Sequence, residues 1–105
     1  MARSNAITVT GTIVEEEVRF TLVDLSRACS VDETLLISLV DEGVLQPEGD
    51  APEAWQFSGK SLRRARTALR IGRDLELNAA GTALVLDLLD EIDALKAKLR
   101  RSGAR

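Results

Sequence analysis

Between Ala28 and Gly59 the sequence carries seven carboxylates, Asp32, Glu33, Asp41, Glu42, Glu48, Asp50 and Glu53, and neither a lysine nor an arginine. Two kinds of chemistry are open to such a cluster. Paired carboxylates can hydrolyse glycosides, but they must face each other across a deep pocket, which a chain of 105 residues seldom encloses. Alternatively, the acids form an anionic surface that repels a polyanion and attracts a basic patch on another protein. The rest of the composition favours the second. There is no histidine and no tyrosine, and Cys29 is the single cysteine. A histidine general base, a Cys-His nucleophile pair and the usual nitrogen-sulfur zinc site are therefore excluded. The expectation is a non-enzymatic binding protein with no cofactor and no metal, whose target at this segment is a protein and not DNA.

The elements that position these acids can be read from cap and breaker signals. Thr21 followed by Asp24 is an N-cap with an acid in the first turn, and it predicts a first helix over 22–29. Cys29 falls on the apolar side of that helix and is expected to be a buried structural thiol. Ser30 with Glu33 has capping-box spacing, and Gly43 is a C-terminal stop, which predicts a second helix over 31–42. Only a tight turn separates the two, as in a helix-turn-helix. With Leu35, Leu36, Leu39 and Val40 inward, Thr34, Ser38 and Asp41 point outward. Ile37 lies at the edge of that outward face, either as an apolar anchor among the acids or packed beneath a neighbouring element.

Val44-Leu45-Gln46-Pro47 leaves the helix extended, Glu48 to Glu53 is a loop holding both prolines, and Ala54-Trp55-Gln56-Phe57 alternates like a strand. Together they predict a β-hairpin wing with Trp55 in its core, or alternatively as a surface anchor. Ser58 caps a third helix over 59–75, with Leu62, Ala65, Leu69 and Gly72 inward. It holds six basic residues in fourteen, Lys60, Arg63, Arg64, Arg66, Arg70 and Arg73. Arg63, Arg66, Arg70 and Arg73 share one face, which is either a phosphate-binding stripe or a solvated face paired with acids of the last helix or a second subunit. Before all of these, residues 6–20 are rich in β-branched side chains and predict one or two strands, with Gly11 as a bend.

Asn78 caps a fourth helix over 79–101. Val85, Leu88, Ile92, Leu95 and Leu99 repeat at three, four, three, four, the seam of a two-helix contact. Acids Asp90, Glu91 and Asp93 precede Lys96, Lys98, Arg100 and Arg101, in the order the helix dipole favours. The seam runs beyond what the rest of so short a chain can cover, and a homodimer is expected. The chain has a net charge of −3, no apolar run long enough to span a bilayer and no signal-peptide pattern. With its lone cysteine it is expected in the cytoplasm, away from membranes.

The order helix, helix, wing, helix, terminal dimerising helix resembles the MerR-like winged-helix family. Arg19-Phe20-Thr21-Leu22-Val23-Asp24-Leu25 stands where that family begins its first helix, and Asp41-Glu42-Gly43-Val44-Leu45-Gln46-Pro47 at its helix-to-wing transition. Within the family the chain is most similar to the CbpM chaperone modulators. That similarity is carried by Glu42 to Pro47, by Trp55-Gln56-Phe57, and by Arg73-Asp74-Leu75-Glu76-Leu77-Asn78 leading into residues 83–92. It covers residues 19–101.

The resemblance implies a mainly α fold with a small β wing, a MerR-like winged helix-turn-helix followed by a long C-terminal dimerisation helix. The chain then divides into an N-terminal β extension (1–18), a winged-helix domain (19–77) and a dimerisation helix (78–105) in one compact unit. It also implies a partner, the J-domain of a DnaJ-like co-chaperone of the CbpA type, whose action on its chaperone would be blocked. No contact residue follows from the resemblance; the charge and geometry of the acidic segment make Asp32, Glu33, Ile37, Asp41 and Glu42 the residues expected to meet it. A MerR-like DNA-binding regulator that uses the third helix for phosphates is the alternative, and a purely structural dimerisation module a third.

Overall fold

The structure, a computed structural model, describes residues 18–103. The expected N-terminal β extension lies outside the described residues up to position 17. From there the chain runs β1 (Arg19–Phe20), α1 (Leu22–Cys29), α2 (Glu33–Asp41), β2 (Phe57–Ser58), α3 (Gly59–Leu75) and α4 (Ala79–Arg101). A single 3-10 turn, Pro52–Ala54, interrupts the loop before β2.

Side-chain caps start every helix. Thr21 Oγ1 accepts from Asp24 N at 3.0 Å while Thr21 N donates to the Asp24 carboxylate at 3.1 Å, closing a full capping box. Ser58 Oγ accepts from Ser61 N at 3.1 Å, and Asn78 Oδ1 accepts from Gly81 N at 2.8 Å. α1, α3 and α4 therefore occupy the expected spans.

α2 does not. Ser30 is the left-handed C-cap of α1, at φ 57°, and cannot also hold the extended backbone an N-cap needs. The cap passes to Asp32, whose carboxylate accepts from Thr34 N at 3.3 Å, so α2 starts at Glu33. Ser26 Oγ donates to the Val31 carbonyl and ties the intervening turn. Gly43, at φ 82°, ends α2 as expected, its N–H reaching Val40 O at 2.9 Å.

The wing is slighter than a hairpin. Its two limbs meet only at Glu48 and Gln56, which exchange both backbone hydrogen bonds, at 3.0 and 2.9 Å. Gly49 turns the chain at φ 122°, where a Cβ would stand 2.5 Å from Ala54 O, so only glycine fits. The expected strand Ala54–Phe57 shifts to Phe57–Ser58, which pairs antiparallel with β1, Phe20 opposite Phe57.

The core gathers residues from almost every element: Phe20, Leu22 and Leu25, Leu36 and Leu39, Val44 and Leu45, Phe57, Ala65 and Ala68, and Leu86. Trp55 is half-buried and meets Phe57 edge-to-face, with centroids 6.0 Å apart at 86°. Cys29 is half-buried, not enclosed. α3 and α4 approach closely at Gly72, where a Cβ would stand 3.0 Å from Thr82 Oγ1.

Candidate protein-interaction surfaces

The acids of α2 separate into two pairs by their place on the helix. Asp32 caps the N-terminus and Glu33 sits half-buried in the first turn, where the helix dipole favours negative charge. Both contribute to holding the helix. Asp41 is its last residue and Glu42 its C-cap, both exposed, with no basic side chain in the last turn. Neither forms an ion pair among the described residues, where the pairs are Arg64–Asp90 and Arg73–Asp74. Two carboxylates at the negative end of a helix dipole each cost about 0.3–1 kcal/mol. Glu48, Asp50 and Glu53, exposed on the wing loop, extend the same negative field.

Of the α2 side chains expected inward Leu35 alone is exposed, and Ile37, for which two places were open, is half-buried. Leu36 and Leu39 are buried and Val40 half-buried. Leu35 and Ile37 lie on opposite sides of this stripe, roughly 100° to either side of Leu36 at 3.6 residues per turn. Ile37 is half-buried and packs against the core, whereas Leu35 is 42 % exposed. Periodicity places both at the margins and does not tell which margin a neighbour covers. Ile37 still borders the outward face of Thr34, Ser38 and Asp41, but as a half-covered side chain.

On α3, Arg63, Arg66, Arg70 and Arg73 are all exposed. Arg64, outside that stripe, is the residue that reaches an acid of α4: its Nη2 lies 3.1 Å from Asp90 Oδ2, and its Nε donates to Val44 O at 2.8 Å. Arg73 pairs with its neighbour Asp74 at 3.2 Å, in full view of solvent. Arg66 lies beside Cys29. Burial pushes that thiol above its ordinary range, and Arg66 partly opposes the shift.

α4 spans 23 residues, about 34 Å at 1.5 Å per residue, and meets the domain through its N-terminal half, as far as Asp90. Thr82 and Leu86 are buried and Val85 is half-buried. Beyond them Leu88, Ile92, Leu95 and Leu99 form one stripe, each 45–55 % exposed, with Leu84 and Leu89 exposed beside it. An apolar stripe of this length on a monomer marks an interaction face. No helix among the described residues is long and apolar enough to cross a membrane, and none of their acids and thiols cluster as a metal site.

A model of the MerR HTH family regulatory proteins matches residues 20–102, nearly the whole described chain. The "Chaperone modulatory protein CbpM" of Coxiella burnetii (strain Dugway 5J108-111) is 37 % identical over 92 residues, covering 88 % of this chain and 87 % of the relative. The chain belongs to the CbpM family. Members from Pseudomonas putida (strain W619) and Pseudomonas entomophila (strain L48) are each 31 % identical over 74 residues, or 70 % of this chain and 73 % of theirs. Membership places the chain among regulatory proteins, and these CbpM relatives carry a modulator's name, not an enzyme's. The mainly helical fold with its two-stranded sheet agrees with the MerR-like architecture.

Proposed function

We propose that the chain is a cytoplasmic, non-enzymatic regulator that binds the basic J-domain of a DnaJ-like co-chaperone and blocks its action, working as a homodimer held by α4. The observation that carries the reading is the placement of Asp41 and Glu42. They stand exposed at the negative end of α2 with no compensating base, where a cationic partner surface would relieve the electrostatic cost. The CbpM relatives' name, chaperone modulatory protein, supplies the kind of partner.

Titration of a purified J-domain tests it. Binding is expected to weaken with added salt, and Asp41→Lys or Glu42→Lys to reduce affinity about tenfold or more, the worth of a lost or reversed charge contact. Unchanged affinity in both variants would remove the acidic-end mechanism. The exposed arginines of α3 favour one competing reading, a DNA-binding regulator. That reading requires duplex binding with a steep salt dependence, and no shift of duplex DNA at low salt would eliminate it.

A further inference from the structure

An open groove of about 520 Å³ runs between the α1–α2 turn, the C-terminal half of α3 and the first turn of α4. This volume lies in the range of small-molecule sites, roughly 300–1,000 Å³. The groove is distinct from the acidic end of α2 and from the outer stripe of α4. Its lining combines two kinds of chemistry. One is apolar, walled by Leu35, Leu39 and Leu69, and explains why a leucine of α2 stands exposed there.

The other is polar and includes two donors, Arg73 and Asn78. Thr82 is 2 % exposed, and its hydroxyl has no hydrogen-bond partner among the described residues, an unusual state for a buried polar group. It packs over Gly72, where a Cβ would stand 3.0 Å from it, and so lies inside the α3–α4 contact. Asn78 uses its Oδ1 to cap α4, which leaves its amide N–H groups available. Arg73 is the one charged side chain lining the groove, and its pairing with Asp74 is solvent-exposed and readily exchanged.

We infer that this groove binds an aliphatic carboxylate, with the chain against Leu35, Leu39 and Leu69 and the head group at Arg73 and Asn78. The occupant's sign follows from charge complementarity: among the described residues that line the groove Arg73 alone is charged, Asn78 adds a neutral donor, and none is a carboxylate. Cys29 also lines the groove and, held as a neutral thiol, adds no opposing charge. The inference stands apart from the J-domain reading and does not depend on it.

Cys29, the only cysteine, reports occupancy directly. The full chain is treated with a maleimide at increasing octanoate concentration, and the half-saturating concentration for thiol protection is read, normalised to the ligand-free rate. Protection is expected to saturate. Arg73→Glu should raise the octanoate half-saturation about tenfold, the value of one charge-assisted hydrogen bond, and leave that of octanol unchanged. Leu88→Glu, on the α4 stripe, should change neither. Protection that never saturates, an octanoate midpoint unmoved by Arg73→Glu, or protection lost in Leu88→Glu would each overturn the site. Shielding that follows protein concentration or an added J-domain, and not octanoate, would assign the groove to a second copy or a protein partner and overturn it equally.

Discussion

Arg64 and Asp90 join α3 to α4 through a 3.1 Å ion pair, and the same guanidinium donates to the carbonyl of buried Val44 at 2.8 Å. One side chain thus fastens the base of the wing and both long helices. The two bonds are unequal. Asp90 is 57 % exposed, so its pairing is screened by water, whereas Val44 is 3 % exposed and its carbonyl would lose its donor.

Arg64→Ala is therefore expected to cost about 1–3 kcal/mol, and Asp90→Asn no more than about 1 kcal/mol. Arg64→Lys should fall between, because an ammonium lacks the planar fork that serves both acceptors. Urea denaturation measures all three. Equal losses for Arg64→Ala and Asp90→Asn would show that the ion pair, not the Val44 bond, holds the junction.

Gly72 sets how closely α3 approaches α4. A Cβ there would lie 3.0 Å from Thr82 Oγ1, below ordinary contact, and Thr82 is itself fixed in the interior. Gly72→Ala normally stabilises a mid-helix position by roughly 0.5–1 kcal/mol; here it is expected to destabilise by about 1–3 kcal/mol through overpacking. Thr82→Ala in the same chain should recover much of the loss. A melting temperature raised by Gly72→Ala alone would mean that Thr82 yields and the helices are not in tight register.

The caps explain which parts of this fold were legible in the sequence. Thr21, Ser58 and Asn78 each act on a backbone N–H three residues away, so the starts of α1, α3 and α4 were written locally. Ser30 carried the local signal of a cap for α2, but its left-handed backbone makes it the end of α1. The pairing of Phe20 with Phe57 joins residues far apart in sequence, so the wing strand was misplaced. The acidic segment was plain in composition, yet its division into structural acids (Asp32, Glu33) and uncompensated ones (Asp41, Glu42) required the true ends of α2. The groove beside Leu35 had no sequence signal, since its walls come from four separate helices.

Cys29 makes stability depend on pH in one direction. Burial raises its pKa in the folded chain above the unfolded value of about 8.5. Its contribution is fully present below the unfolded pKa and is lost as pH rises through the folded one. Urea midpoints measured from pH 7 to 10 should fall more steeply for the native chain than for Cys29→Ala. Parallel curves would show that the thiol titrates freely and that its surroundings are wet.

The α4 stripe predicts a mutation series with a spatial signature. Leu88, Ile92, Leu95 and Leu99 lie beyond the last contacts of the domain core, so replacing them should leave the monomer's fold intact. Leu88→Glu or Leu95→Glu is expected to weaken self-association strongly, since each leucine buried between copies contributes about 1.5–3 kcal/mol and a charge there opposes contact. Leu86→Glu, by contrast, introduces a charge into the core and should unfold the chain. Sedimentation against concentration, with circular dichroism as the check on folding, distinguishes the cases. An unchanged sedimentation coefficient in Leu88→Glu and Leu95→Glu would separate this stripe from dimerisation.

Asp41 and Glu42 predict stability and binding moving in opposite directions. At the negative end of α2 each carboxylate opposes the helix dipole, and no base among the last-turn residues offsets it. Asp41→Lys or Glu42→Lys should therefore stabilise the free chain, by about 0.5–2 kcal/mol when the unfavourable charge is both removed and reversed, with the gain shrinking in high salt. The same substitutions are expected to weaken a basic partner. Asp32→Ala makes the contrast, because it removes the cap on Thr34 and should cost about 0.5–2 kcal/mol of stability. Thermal melts of the three variants decide the point. If Asp41→Lys and Glu42→Lys melt no higher than the native chain, these acids are compensated in solution, and the electrostatic argument for a cationic partner loses its footing.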